Sequence, residues 1–229
     1  MNGKKLLYRL LEKIIMKYSP ETARIINQMN DGKMAIPRPS IIYMKQYFKN
    51  KLITGIELGV DVGDNSESLL NELNIKKLHL IDIWTDGIYE QKLEMNKFDA
   101  MHIYRSSKFR LRKSLENNNI KNKFEYVRNR FEGDARVNTL RCSSLNATRY
   151  FDDNTLDFIY IDANHDYSFV YQDLENWHAK IKSNGIIAGH DAYLIDVLQA
   201  WIDFCNKKNE SLIIRFPDLF FVKKTGDKK

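Results

Sequence analysis

Two apolar runs in the stretch LDFIYIDANHDYSFVYQDLENWHAKIKSNGIIAGHDA, residues 156–192, each end in a cluster of ionisable side chains. The run over 156–161 leads into Asp162, His165 and Asp166, and the run over 185–189 leads into His190 and Asp191. Imidazoles change charge near neutral pH and carboxylates favour hard cations. Such a set could therefore move a proton, hold a metal ion or activate water. The plainer alternative for either histidine is a hydrogen bond within its own loop.

These groups can act together only if the backbone brings the two run ends side by side. An amphipathic helical pattern over 168–182 lies between them, so the segment predicts strand, helix, strand. In such a unit the strands are parallel, with their carboxyl ends on one edge of the sheet. Open α/β sheets bind ligands along that edge. The same alternation begins at residue 53: a strand over 53–58, a glycine-bearing loop, a helix over roughly 66–73 and a strand over 77–82. A strand over 137–141 and a helix over 143–151 precede the opening segment. A helix over 193–207 and a hairpin of 211–216 with 219–223 follow it. His79 falls in an apolar strand, and His102 and His178 in helical or irregular stretches, so all three read as structural.

Ahead of the sheet, residues 4–17 space Leu6, Leu7, Leu10, Leu11, Ile14 and Ile15 as an amphipathic helix. Ser19-Pro20-Glu21 opens a second helix, Pro37-Arg38-Pro39 breaks the chain, and 40–50 resumes a helical pattern. These helices could pack on the sheet, form a homodimer contact or lie on a membrane surface; packing is the ordinary outcome for such helices. The division predicted is an N-terminal helical appendage over 1–50 and one α/β domain over 51–229, with an insertion over about 84–135.

The chain of 229 residues can bury one substantial core, and its 43% hydrophobic and 29% charged content excludes fibrous and disordered classes. No apolar run approaches the roughly 20 residues that cross a bilayer. Charges interrupt the apolar positions of MNGKKLLYRLLEKIIMKY and no small-residue cleavage site follows, so the start does not read as a signal peptide. Cys142 and Cys205 are too few for a disulfide framework or a cysteine zinc site, and a reducing, cytoplasmic setting is expected. A net charge of +6 is a moderate excess, common in proteins that bind no nucleic acid.

GIELGVDVGDNS, residues 55–66, carries the second constellation. A buried strand delivers a loop with Gly59 and Gly63, which can adopt positive φ and let the backbone approach a ligand. Asn65 or Ser66 is the expected cap of the next helix. Neither GxGxxG nor GxxxxGK[ST] is present, so the dinucleotide and phosphate-loop fingerprints fail. Glu57 in an apolar strand needs a partner, either a ligand ammonium or backbone at the strand end. Asp82 closes the second strand about 20 residues beyond the loop, where an acid takes ribose hydroxyls in nucleoside-binding folds.

The order GIELGVDVGDNS, LHLID, RCSSL, LDFIYIDANHDY, NGIIAGHD and a terminal hairpin resembles the class I S-adenosylmethionine-dependent methyltransferases. More narrowly it is similar to small O-methyltransferases with a "YIDG-H-Y … GG-I-GDD" segment, which act on sugars and small natural products. The likeness spans about 52–223, apart from most of 84–135. It implies a Rossmann-like sheet of seven mostly parallel strands with an antiparallel last strand. It also implies that Glu57 and Gly59 hold the methionine end of the cofactor, and that Asp61, Gly63 and Ser66 shape the loop beneath it. Asp82 would bind the ribose, and Ser143 would stand where relatives place an aspartate against the adenine. Asp162 would lie beside the transferring methyl group and share the acceptor side with Asp191. Some relatives bind Mg²⁺ or another divalent cation through these two aspartates and an Asn or Asp. Here Ala192 stands where one subgroup has Asn, and His190 where some members have Asp. His165, with Tyr167, matches the H-x-Y positions and is the first choice for the proton acceptor; His190 is the second.

The stretch 105–130 holds nine Lys or Arg against two Glu, interleaved with Phe109, Phe124 and Tyr126. It could cover the pocket and attract an anionic acceptor such as a phosphorylated or nucleotide-linked sugar. It could instead be a solvated helix face, the ordinary role of such a run. The sequence therefore predicts O-methylation of a small hydroxylated acceptor, a saccharide among the candidates. The alternatives are an RNA methyltransferase and a non-catalytic ligand-binding protein on the same fold.

Overall fold

The computed structural model describes residues 37–84 and 122–225. The helical patterns before residue 37, the homodimer contact expected of them, His102 and most of the basic stretch lie outside the described residues. Helix α1 (Pro39–Phe48) comes first, then β1 (Ile53–Leu58), α2 (Asp64–Glu72), β2 (Ile75–Asp82) and α3 (Lys123–Arg130). After these come β3 (Val137–Arg141), the one-turn helix α4 (Ser144–Ala147), β4 (Leu156–Ile161) and α5 (Tyr167–His178). The chain continues with β5 (Ile181–Gly189), α6 (Ile195–Lys208), β6 (Ile213–Arg215) and β7 (Asp218–Val222).

The strands form one sheet in the order β3-β2-β1-β4-β5-β7-β6, parallel from β3 to β5, with β7 antiparallel to β5 and β6 antiparallel to β7. Helices cover both faces, so the central strands are apolar on both sides. On one face Ile56, Leu58, Ile159 and Ile161 meet Val170, Leu174 and Trp177 of α5 and Val197, Trp201 and Phe204 of α6. On the other, Leu80, Phe158, Tyr160 and Ala188 meet Ile41, Met44 and Phe48 of α1, Leu69 and Leu70 of α2, and Val127 of α3. Helix α1 is thus part of the core. No helix among the described residues is long and apolar enough to cross a membrane.

Strands β1, β3 and β4 lie where the sequence predicts them, and three local readings change. Helix α5 stops at His178, short of the predicted 182, and β5 starts at Ile181, ahead of the predicted 185. The pairing runs from Leu156↔Ile181 to Phe158↔Ile186, five positions on β5 against two on β4. The surplus is looped out, and Asn184 takes φ +61 there. The polar residues 182–184 are therefore a bulge within the strand. Helix α2 is capped by Gly63 at φ +83, with Asn65 and Ser66 inside its first turn. The helix expected over 143–151 is one α turn followed by a 3₁₀ turn, Thr148–Tyr150.

Candidate active site

The carboxyl ends of β1, β2 and β3 form one side of the sheet's ligand edge. Glu57 is buried at the end of β1 and accepts hydrogen bonds from Asn65 Nδ2 at 2.9 Å and from Ser66 Oγ. Its partners are thus side chains of the first turn of α2, neither strand-end backbone nor open space. Burial raises the Glu57 carboxyl to about 7, further than the Ser66 and Asn65 bonds and the more distant Arg38 lower it. Beside it, the buried Asn65 Oδ1 has no partner within the protein. A buried acceptor in want of a donor suits the ammonium of a bound amino-acid moiety.

Because its folded-state pKa lies above the usual carboxylate value, Glu57 contributes stability that is full below about pH 4.5. That contribution is lost as pH rises through about 7, for a total of about 3 kcal/mol. Glu57→Gln, which mimics the protonated acid, is expected to flatten this part of the profile. Urea unfolding of the cofactor-free protein at pH 5 and pH 7.5 measures it. Equal slopes for wild type and variant would refute the assignment. The decline from His165 above pH 6.5 should persist in both.

Asp82 organises the loop that follows β1. Its Oδ2 accepts from Val60 N at 2.8 Å and Asp61 N at 3.0 Å, and its Oδ1 from Trp84 N at 2.8 Å. Gly59 takes φ +82 and presses on β4, where an added Cβ would lie 2.1 Å from the Asp162 carbonyl oxygen. Asp61 is exposed at φ +51 and ion-pairs with Lys123 of α3. Arg130, also of α3, donates to Val62 O at 2.8 Å, Asp64 Oδ1 at 2.7 Å and Glu67 Oε2 at 2.7 Å, tying α3 to the start of α2. The basic stretch thus includes at least one cation committed to the fold. Ser143 caps α4, its Oγ accepting from Asn146 N at 3.2 Å, one residue beyond the β3–β2 contact of Cys142 N with Asp82 O.

The ends of β4 and β5 form the other side. Asp162 N still bonds to Leu58 O at 2.8 Å, and His190 N to Ile161 O at 3.3 Å, so both side chains leave adjacent strands at the same level. Asp191, at φ +65, turns back toward them. His165 Nε2 lies 2.5 Å from Asp191 Oδ2 and 3.8 Å from Asp162 Oδ1. His190 Nδ1 lies 2.7 Å from Asp191 Oδ1 and 4.0 Å from Asp162 Oδ1. The four groups singled out from the two run ends therefore do converge. Asp166 is exposed just before α5, and the Tyr167 hydroxyl turns away to Asp203 at 3.0 Å. His79 stacks edge-on against Phe151, and His178 pairs with Glu210 at 3.0 Å, both as structural residues.

Burial works to raise Asp162, yet Arg38, His165 and His190 hold it below the ordinary carboxylate range. Asp191 lies well below that range, because the two histidines outweigh burial. Burial works to lower His165, and the two carboxylates raise it to about 10. His190 is raised in the same way. Without added positive charge, His165 is a cation at neutral pH and has no vacant nitrogen to take a proton.

Ligand atoms of Asp162, His165 and Asp191 all lie within 4.8 Å of one another. Both ring nitrogens of His165 are buried: Nε2 is in ion-pair contact with Asp191, and Nδ1 has no hydrogen-bond partner among the described residues. Two carboxylates and an imidazole with converging ligand atoms fit a divalent cation, which would replace the proton that His165 now carries. His165 joins the two aspartates as a third donor that spacing did not assign.

Several groups at this edge carry no spacing signal. Arg38 Nη1 donates to Asp162 Oδ2 at 2.8 Å and to the Tyr160 hydroxyl at 2.9 Å, although Pro37-Arg38-Pro39 reads only as a chain break. Asp218, which reads as a turn residue, is fully buried and accepts from Ser40 N at 3.0 Å and from Ser40 Oγ.

This strand order, with a glycine-turned loop after β1 and an acid closing β2, defines the class I methyltransferase architecture. Residues 56–192, more than half of the chain, match the family model described as a methyltransferase domain, and the protein belongs to that family. It is an S-adenosylmethionine-dependent methyltransferase, as the motif order implied. No match was found among curated proteins. Among solved structures, a protein described as a caffeoyl-CoA O-methyltransferase from Staphylococcus aureus shares 14% identity at a TM-score of 0.54, covering 96% of this chain and 100% of that one. Precorrin-6y C5,15-methyltransferase from Geobacter metallireducens shares 8% identity at a TM-score of 0.51, covering 79% and 84%. The MycE methyltransferase of the mycinamycin pathway, solved with Mg, SAH and mycinamycin VI, shares 12% at 0.50, covering 83% of this chain and half of that one. At these identities the likeness is one of fold.

Proposed function

We propose that the protein transfers the methyl group of S-adenosylmethionine to a hydroxyl of a small acceptor, with a divalent cation at Asp162, His165 and Asp191. The observation that carries this reading is the convergence of those three side chains, beside the glycine loop, at the carboxyl edge of the sheet. In this reading Glu57 and Asn65 face the methionyl ammonium, and Gly59, Asp61, Gly63 and Ser66 shape the floor. Asp82 faces the ribose, and Ser143 lies on the adenine side.

Methyl transfer forms an oxygen–carbon bond as the sulfonium–carbon bond breaks, leaving S-adenosylhomocysteine and one proton to be removed from the acceptor. A divalent cation, when bound, supplies positive charge that lowers the pKa of a nearby hydroxyl and of both imidazoles. Asp162 and Asp191 hold the acceptor side rigid, since each is fixed by further contacts. Because His165 would be one of the residues that hold the cation, His190 is the imidazole left to take the proton. Asp191 binds His190 Nδ1, which leaves Nε2 for that task.

Transfer of radiolabelled methyl from S-adenosylmethionine to catechols, saccharides, nucleotide sugars and RNA tests the proposal. The expected result is label on a small hydroxylated acceptor, stimulated by Mg²⁺ or Mn²⁺ and stopped by EDTA. Label found only on RNA, or transfer indifferent to EDTA, would overturn it.

A further inference from the structure

Arg38 precedes the family-matched segment by 18 residues in sequence (56 − 38), yet it reaches the centre of the site. The two hydrogens of its Nη1 are divided between Asp162 Oδ2 at 2.8 Å and the Tyr160 hydroxyl at 2.9 Å, and its guanidinium lies 5.5 Å from the centre of the Tyr160 ring. The Tyr160 hydroxyl passes its own proton toward Asp218 Oδ1 at 3.3 Å. Asp218 Oδ2 is bonded by the backbone and hydroxyl of Ser40, in the first turn of α1. The arginine is thus clamped from below by a chain of buried groups belonging to α1, β4 and β7.

The final torsion of an aspartate is soft and roughly two-fold, so a carboxylate with no fixed partner turns readily. We infer that Arg38 is a positioning residue for the proposed acceptor site, holding Asp162 Oδ2 so that Oδ1 faces His165 and His190. The observed distances from Oδ1, 3.8 Å to His165 Nε2 and 4.0 Å to His190 Nδ1, are those of an oxygen presented to both rings. The inference rests on the reading that Asp162 belongs to the reaction site, and it extends that site to a residue outside the matched domain. A guanidinium suits the role because its planar fork fixes donor directions that an ammonium leaves free.

The test uses the full chain with ¹⁵N-labelled histidine, without ion, cofactor or acceptor. Imidazole signals are compared among wild type, Arg38→Met and Arg38→Lys. Arg38→Met should shift His165 and His190 and leave His79 and His178 in place, and Arg38→Lys should restore the pair part-way. Unmoved His165 and His190 signals would overturn the inference, as would shifts of His79 and His178 equal to those of His165 and His190, the mark of general loosening. Should the methionine variant fail to fold, Arg38→Gln, which keeps a donor, is judged by the same criterion. Shifts confined to His165 and His190, in a protein that methylates no hydroxyl, would sink the proposed function and leave the hold of Arg38 on Asp162 standing.

Discussion

Asparagine in place of Asp191 is expected to weaken Mn²⁺ binding at least about a hundredfold and to slow methyl transfer by about two to four powers of ten. Asp191 is buried, and each of its oxygens is in contact with a different histidine, Oδ2 with His165 and Oδ1 with His190. An amide of the same shape keeps the packing but removes the charge. It also replaces one acceptor with a donor that points at an imidazole. The proposed cation loses one of two anionic ligands, and the imidazole proposed to take the proton loses the group that orients it. Folding should suffer less at neutral pH, because uncharged imidazoles can remain buried, and more at acid pH, where both rings must carry charge without a counterion. Electron paramagnetic resonance of free Mn²⁺ measures the binding without knowledge of the acceptor. An asparagine variant that binds Mn²⁺ as tightly as wild type would remove Asp191 from the site.

Gly59→Ala should be the most damaging single methyl group that can be added to the cofactor loop. The residue sits at φ +82, and its new Cβ would lie 2.1 Å from the Asp162 carbonyl oxygen and 2.6 Å from Ala163 Cα. Both obstacles are backbone, so no side-chain rotation relieves them. The left-handed conformation and the steric conflict together should cost about 3–5 kcal/mol. Gly133→Ala is the matched control, since Gly133 has φ +83 but nothing within 4 Å of an added Cβ. It should cost only the backbone share, about 1–2 kcal/mol. Urea unfolding of the two variants separates the contributions, and equal losses would show that the β1–β4 contact is looser than described. Calorimetry with S-adenosylhomocysteine should show binding by Gly133→Ala and little or none by Gly59→Ala.

Features that depend on local order are legible in the residues themselves. The bounds of β1 and β4 follow from short, mainly apolar runs closed by polar residues, because a strand buried on both faces must be largely apolar, whereas β3, VNTLR, is a half-buried edge strand. Motif order was enough to assign the methyltransferase class, and the two run ends were enough to gather Asp162, His165, His190 and Asp191, since a parallel crossover leaves no other edge for them. Contacts between residues far apart in the chain emerge only on folding. Arg38 meets Asp162 across 124 positions and Ser40 meets Asp218 across 178, and no spacing rule links such pairs. Asn65 and Ser66 have the residue types of helix caps, but the buried carboxylate of Glu57 needs partners more than the helix end does, and it captures both side chains. The role open to His165 changed for the same reason. Its type suits a base, whereas burial between two carboxylates makes it a cation until another positive charge arrives. Hydrophobic pattern is written along the chain; charge compensation in a buried site is settled only when packing brings distant segments together.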